Sequence, residues 1–320
     1  MEHQGMTARI HPDNGRTCGC SGITELTAVS LVWAFSFGII RSSLSGLDPS
    51  LVACLRMLLA CLVMLPFLRA GRLSVRAVLL LMITGAVQFG LMYLVYIESF
   101  KSLEAWEVAM LTVTTPLFVA AFEWLSSRRG GFSILAASTA AVAGGALLLW
   151  NRPASPGFVD GLILVQLSNV FFAAGQVAFR RIDSAFRIPR TIEVMALMYL
   201  GGFIATLPGA IPAAGSIHAL SILQVASIVY LGVIASGICF MLWNQGATKV
   251  EPGVLAAFNN AKIPLSVLAS ILCFGERPSL WKLAVGSLLI LAGVLAGRAV
   301  RSPEAPHDLR ITEKNGSSCG

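Results

Sequence analysis

Residues 85–96 read Gly-Ala-Val-Gln-Phe-Gly-Leu-Met-Tyr-Leu-Val-Tyr, and residues 232–243 read Gly-Val-Ile-Ala-Ser-Gly-Ile-Cys-Phe-Met-Leu-Trp. Two glycines and two aromatic residues coincide when the second run is laid on the first. An acidic residue follows each run at the same distance, and Pro116 matches Pro264 when one residue is added. We interpret the chain as two related halves.

The composition places these halves in a membrane. Of the 320 residues, 56% are hydrophobic and 12% are charged, with a mean hydropathy of +0.78. An average soluble domain has about 25% charged residues, so a soluble protein is excluded. Apolar stretches long enough to cross a bilayer recur along the chain. They predict ten helices, at about 26–40, 50–68, 77–97, 105–125, 134–150, 158–179, 192–211, 222–243, 253–274 and 280–299.

The predicted fold is an all-α integral membrane protein of ten transmembrane helices. Each half contains five helices, and because five is odd the second half enters the membrane from the opposite side. Such inverted repeats are typical of secondary transporters, which bind their substrate near the midplane between the repeats. We assign residues 23–150 to the first repeat and residues 151–300 to the second.

Most of the 23 lysines and arginines lie in the two tails and in the loops after the even-numbered helices. Cytoplasmic loops carry this excess, so we expect both termini in the cytoplasm. Residues 1–22 and 301–320 are predicted to be cytosolic tails. The net charge of +7 is then a topology signal, and we expect no nucleic-acid partner. The expected partners are the lipid bilayer of a bacterial inner membrane and a small-molecule substrate, and a homodimer is left open.

The run Phe258-Asn-Asn-Ala-Lys262-Ile-Pro264 is polar within a long apolar stretch. A lysine at the centre of a spanning helix costs about 2.5–3.5 kcal/mol on insertion scales, so it needs a partner or a ligand. Asn259 shares a helix face with Lys262, whereas Asn260 points partly away. The ligand hypothesis makes this run the floor of a substrate site. The alternative is a structural ion pair of Lys262 with Glu98, Glu104 or Glu107.

Other polar and aromatic residues in apolar segments complete the predicted site. We expect substrate binding by Lys262, Asn259, Asn260, Thr115, Asn169, Tyr93 and Trp243. Pro116 and Pro264 are predicted helix bends, because a proline inside a helix removes a backbone hydrogen bond. Arg56, Glu98 and Glu107 are candidates for a gate or for coupling. Alternatively, Arg56 snorkels to the outer surface, Trp243 anchors the interface and the prolines only curve their helices.

No catalytic or cofactor motif is present in the sequence. It lacks His-Glu-x-x-His, Gly-x-Ser-x-Gly, a phosphate loop and Gly-x-Gly-x-x-Gly, and its four histidines lie in tails or loops. The pair Cys18-x-Cys20 has no second pair beside it, which a zinc site would require. We therefore expect no enzyme, no cofactor and no metal.

The chain resembles the drug/metabolite transporter superfamily, specifically proteins with two EamA domains, over about residues 24–299. The residues that carry the resemblance are Leu55-Arg56, Gly90-x-x-Tyr93, Thr115-Pro116-Leu117, Phe274-Gly275-Glu276, Gly286 and Gly293. The first half departs at Ser127-Arg128, where the pattern has an acid like Glu276. The resemblance implies transport of small metabolites such as amino acids through a central cavity between the halves.

These observations predict a secondary transporter that works by alternating access, as an exporter or exchanger. Lys262 indicates an amino-acid-like or carboxylate-bearing substrate, because an ammonium group can hold a carboxylate. Two other functions stay open at this point. One is proton-coupled efflux of cationic or lipophilic drugs, and the other is a membrane scaffold or sensor subunit without transport.

Overall fold

The computed structural model describes residues 15–127, 157–250 and 252–275, and these ranges contain helices and turns but no β-strand. Six helical segments are long and apolar enough to cross a membrane: Ser21–Leu44, Pro49–Phe67, Val75–Ser99, Ala105–Leu125, Phe158–Phe186 and Ile222–Lys249. Two shorter apolar helices are Met195–Ala210 and Phe258–Phe274. The predicted all-α membrane fold is confirmed. The predicted helices 134–150 and 280–299 lie outside the described residues, so the count of ten stays a prediction.

We number the described α-helices in chain order. They are α1 (Gly15–Ile39), α2 (Pro49–Met64), α3 (Val75–Gly85), α4 (Met92–Ser99), α5 (Ala105–Leu111), α6 (Thr115–Ser127), α7 (Phe158–Phe186), α8 (Met195–Ala210), α9 (Ile222–Val229), α10 (Cys239–Lys249) and α11 (Pro252–Phe274). Helix α1 thus begins within the predicted polar tail, and its apolar part starts at Ser21.

Two of the membrane spans contain a π-helical segment at matching places in the repeat. Residues Ala86–Leu91 join α3 to α4, and residues Tyr230–Ile238 join α9 to α10. Both segments fall on the runs that revealed the repeat. The wide turns of a π-helix disturb the regular backbone ladder. In the second segment the carbonyls of residues 235–237 accept hydrogen bonds from Trp33 and Tyr199 at 2.8–3.0 Å.

The span Ala105–Leu125 is divided into two α-helices. A 3₁₀ turn at Thr112–Thr114 separates α5 from α6, and Pro116 is the second residue of α6. Proline is tolerated in the first turn of a helix because its missing N–H would be unsatisfied there anyway. The helix therefore changes type next to Pro116, where the sequence predicted a bend. By contrast, α11 continues through Pro264 without a change of helix type.

Helices α3 and α8 cross at glycines. A Cβ atom on Gly85 would collide with the backbone of Met198, and one on Gly201 would collide with the backbone of Met82. Each glycine thus lets the opposite backbone approach, which is the usual role of small residues in membrane helix packing. The crossing fixes α3 and its π-helical extension against the second repeat.

Large apolar side chains cover the outside of the described bundle. Ile222 is 90% exposed, and Ile83, Leu125, Val159 and Ile163 are also exposed. In water such a surface would be unfavourable, whereas lipid tails solvate it. The polar residues of the spans are instead buried inside, among them Arg56, Gln88, Glu107, Asn169, Asn244 and Lys262.

Candidate functional site

A cavity lies inside the bundle. Helices of both repeats line it. The lining residues are Trp33, Ser36, Phe37, Ile40, Arg56, Met92, Tyr93, Tyr96, Thr112, Thr115, Ser168, Asn169, Phe172, Phe240 and Lys262.

Lys262 of α11 is 7% exposed and contributes its ammonium group to this cavity. The Nζ atom lies 5.1 Å, 5.5 Å and 5.9 Å from the ring centroids of Trp33, Phe172 and Trp243. Cation–π attraction at such distances is worth about 0.5–1 kcal/mol or more per ring. Within the described ranges, the ammonium group makes neither an ion pair nor a hydrogen bond.

The glutamates considered as partners of Lys262 are engaged elsewhere. Glu98 pairs with Lys101 at 2.9 Å on the surface, and Glu104 pairs with Arg41 at 2.8 Å. Glu107 is buried and accepts a hydrogen bond from the Glu104 backbone N–H at 2.9 Å, as part of the capping box that begins α5. None of the three lines the cavity.

An aromatic cluster forms the wall next to Lys262. The ring centroid of Trp33 lies 4.7 Å from that of Phe240 and 5.0 Å from that of Trp243. Phe172 joins the cluster at 6.0 Å from Phe240. The indole N–H of Trp33 donates to the Ala235 carbonyl at 2.8 Å, so its orientation is fixed. The cluster offers a rigid apolar surface to a flat or ring-shaped ligand.

Arg56 of α2 lines the same cavity and is 2% exposed. It therefore does not snorkel to the outer surface. Its Nη2 donates to the Tyr93 hydroxyl at 2.6 Å and to the Ser236 hydroxyl at 3.1 Å, and its Nε donates to Ser236 at 3.3 Å. The guanidinium carbon lies 3.9 Å from the centroid of the Tyr93 ring. Because Ser236 belongs to the second repeat, this cluster joins the two halves.

The third wall is built where the span Ala105–Leu125 changes helix type. The Leu111 carbonyl beside the 3₁₀ turn accepts a hydrogen bond from the Asn169 amide at 3.0 Å. Asn169 also accepts from the Thr115 hydroxyl at 3.2 Å and contacts Thr114 at 2.9 Å. An amide of the second repeat thus satisfies a carbonyl released by the break in the first. Thr112, Thr115, Ser168 and Asn169 give this wall a polar surface.

The structure brings together five of the predicted binding and gating residues, namely Lys262, Thr115, Asn169, Tyr93 and Arg56. Trp243 lies behind Trp33, fully buried. Asn259 and Asn260 are buried but do not line the cavity, and the Asn259 amide donates to the carbonyl of Leu255 in its own helix.

Sequence reasoning missed several contributors to the cavity and its surroundings, of which three matter most for the site. Phe172 completes the aromatic wall, Ser36 lines the cavity, and Ser236 holds Arg56. Ser236 lies in the run 232–243, whose pattern indicated only the repeat. A polar residue inside the more apolar copy of that run was the available signal.

The end of the bundle away from the cavity is held by a polar cluster around Glu25 of α1. Its carboxylate accepts hydrogen bonds from Gln245 at 2.8 Å and Ser21 at 3.2 Å, and it pairs with Lys249 of α10. Glu25 precedes Trp33 by eight residues, or about 12 Å of helix. The cluster ties the first repeat to the second below the aromatic wall.

A multi-pass helical membrane protein with a polar and aromatic cavity inside its bundle has the architecture of a small-molecule transporter. The model of the EamA-like transporter family matches residues 21–150 and again residues 160–296. The chain therefore belongs to the EamA-like transporter family, and the prediction of two repeats is confirmed. It is a multi-pass inner-membrane transporter of a small metabolite and not an enzyme.

Several bacterial proteins are similar over nearly their whole length. The chain is 33% identical over 292 residues to the "Biotin transporter" of Salmonella typhimurium, covering 89% of this chain and 97% of that protein. The "Biotin transporter" of Escherichia coli is 33% identical over 291 residues, with the same coverage. The "Probable biotin transporter" of Pseudomonas aeruginosa is 36% identical over 287 residues, covering 86% of this chain and 97% of that protein.

A solved crystal structure shares the fold. It superposes with a TM-score of 0.63 at 20% sequence identity, covering 88% of this chain and 98% of that chain. At this identity the likeness concerns the arrangement of the helices alone.

Proposed function

We propose that this chain is a secondary transporter of biotin. Biotin is an anion at neutral pH, with a carboxylate on a flexible chain and a fused ring system that contains a ureido group. The observation that carries the proposal is the Lys262 ammonium group, which is buried at the cavity wall without an acceptor among the described residues. Among carboxylate-bearing substrates we choose biotin because the similar bacterial proteins are named biotin transporters.

The carboxylate of biotin binds Lys262 in this proposal. A buried ammonium group with an anion beside it is far more favourable than one left unpaired. The ring system and its apolar chain then lie against Trp33, Phe172 and Phe240, which are fixed in place. Thr115 of the first repeat and Asn169 of the second offer hydrogen bonds to polar ring atoms.

The charges of the cavity favour an anion over the other substrate classes. Two cationic groups, Lys262 and Arg56, line it, and none of its described lining residues is acidic. A cationic drug would meet like charges in a low-dielectric site, which is costly. The ammonium group of an amino acid would also find no acidic partner there. We therefore prefer a simple carboxylate to the zwitterionic amino acid and to the cationic drug.

Transport by purified protein in proteoliposomes tests the proposal. Radiolabelled biotin should enter liposomes that contain the wild-type chain, and unlabelled biotin should compete. Lys262→Ala should abolish this flux, and Lys262→Arg should retain part of it because the positive charge remains. Lys101→Ala is the matched control, since this lysine is exposed and pairs with Glu98 on the surface. Wild-type flux in a folded Lys262→Ala protein would refute the role of the lysine.

We further infer that the structure corresponds to a state closed at the cytoplasmic end. The predicted orientation puts the N-terminus inside, so the Glu25–Lys249 cluster lies at the inner end and Ser36 lies nearer the outside. Ser36→Cys, in a chain without its native cysteines, should then react with an impermeant maleimide added to intact cells. Biotin should protect it. Reaction only in inside-out vesicles would contradict this orientation.

A further inference from the structure

The cluster of Arg56, Tyr93 and Ser236 has more hydrogen-bond donors than it can use. A guanidinium group offers five N–H donors, and each hydroxyl group offers one more. Within the described residues, the only acceptors that these donors reach are the two hydroxyl oxygens themselves. The Tyr93 and Ser236 hydroxyls share one proton between them at 3.1 Å, which leaves the other hydroxyl proton without an acceptor.

One nitrogen of the guanidinium group shows the deficit directly. Arg56 Nη1 is buried and has no hydrogen-bond partner in the described part of the chain. Buried polar groups are nearly always satisfied, and those linked to a charge are the most costly to leave unpaired. No acidic side chain among the described residues compensates Arg56, so Nη1 can donate to an acceptor that a ligand brings into the cavity.

The Arg56 cluster is separate from the Lys262 site. Lys262 lies over Trp33, Phe172 and Trp243, whereas Arg56 lies over Tyr93. The ring of Phe240 is a neighbour of the aromatic partners of both groups, with its centroid 4.7 Å from that of Trp33 and 6.0 Å from that of Tyr93. Both cations line one cavity. A single ligand that satisfies both needs two acceptor ends with an apolar part between them.

From this arrangement we propose that Arg56, with Tyr93 and Ser236, forms a second subsite that binds the ureido carbonyl oxygen of the substrate. The inference rests on the proposed function. The ureido oxygen carries partial negative charge, because both adjacent nitrogens donate electron density into the carbonyl. Lys262 binds the carboxylate at the other end, so each of the two cationic side chains binds one end of the same molecule.

Two analogues of biotin separate the subsites. In 2-iminobiotin a protonated imino group replaces the ureido oxygen, so a cationic donor faces Arg56. In biotinamide a neutral amide replaces the carboxylate, so Lys262 loses its anion. Affinities of the full chain in detergent for biotin and for both analogues, measured by isothermal titration calorimetry, give two selectivity ratios for each variant.

The wild-type chain should prefer biotin to 2-iminobiotin by roughly 10- to 100-fold, the effect of a hydrogen bond to a charged group. Arg56→Gln should bring this ratio close to one and leave the preference for biotin over biotinamide intact. Lys262→Gln should bring the preference for biotin over biotinamide close to one and leave the preference for biotin over 2-iminobiotin intact. Arg56→Lys, which keeps the charge without the planar fork, should give an intermediate 2-iminobiotin ratio. Lys101→Gln should change neither ratio.

The outcomes distinguish this inference from the function on which it rests. Binding of biotin by a folded Arg56→Gln protein with an unchanged 2-iminobiotin ratio would overturn the ureido subsite and leave the biotin proposal standing. If Arg56→Gln instead abolishes the preference for biotin over biotinamide, Arg56 binds the carboxylate and the ligand lies in the opposite orientation. That result would also overturn the ureido subsite. If the wild-type chain binds neither biotin nor its analogues, the proposed function itself fails.

Discussion

Replacing Lys262 by methionine should stabilise the empty protein while it removes ligand binding. Methionine keeps the length and the apolar body of the side chain, so packing in the cavity wall is largely preserved. A lysine at mid-membrane depth costs about 2.5–3.5 kcal/mol. Three ring contacts at 5.1–5.9 Å return about 0.5–1 kcal/mol each. The net gain on substitution is therefore about 1 kcal/mol.

Thermal unfolding in detergent, with and without biotin, measures both effects. Biotin at 100 times its Kd should stabilise the wild-type chain by about 2.7 kcal/mol and should leave the Lys262→Met protein unchanged. Lys101→Met is the control for loss of a lysine that lies at the surface. If the empty Lys262→Met protein is instead less stable than wild type by more than 1 kcal/mol, the lysine has a structural partner. The binding hypothesis would then lose its main support.

Three further substitutions test the surroundings of the cavity. Glu25→Gln removes the ion pair with Lys249 and should speed labelling of the inner end by roughly 1.4- to 5-fold, as expected for a pair worth about 0.2–1 kcal/mol. Asn169→Ala should lower the free energy of unfolding by about 0.5–1.5 kcal/mol, because it removes one hydrogen bond to the Leu111 carbonyl, which keeps the Gln166 amide at 3.3 Å. Gly85→Ala should cost at least about 1–3 kcal/mol through its backbone collision, whereas Gly71→Ala, with open space around it, should change little. Equal melting temperatures of the two alanine variants would contradict the crossing of α3 and α8.

The all-α membrane fold and the internal repeat could be predicted because both depend on patterns within short stretches of sequence. Long apolar runs, turn residues between them and basic loops are properties of short windows of sequence. The matching runs at 85–96 and 232–243 needed only an internal comparison. The same runs overlap two of the three described π-helical segments, and nothing in hydropathy distinguishes a π turn from an α turn.

The walls of the cavity were only partly predictable, because orientation depends on packing between helices. Lys262 stood out by its charge, and Tyr93 by its place in the repeat. Asn259 was placed on the same face as Lys262 by helical spacing, yet it faces its own helix backbone. Phe172 gave no signal of its own, since one phenylalanine among many apolar residues of α7 says nothing of the side to which it points.

The two repeats correspond in their helices and prolines but differ in the charged residues that line the cavity. Pro264 and Pro116 correspond, and the position that corresponds to Lys262 is occupied by Thr114, whose hydroxyl is bonded to Gln166 and Asn169. One half therefore presents an ammonium group where the other presents a satisfied hydroxyl. A cavity at the interface of two equivalent halves would otherwise treat both ends of a ligand alike. The difference between its ends is what lets it hold an asymmetric anion in one orientation.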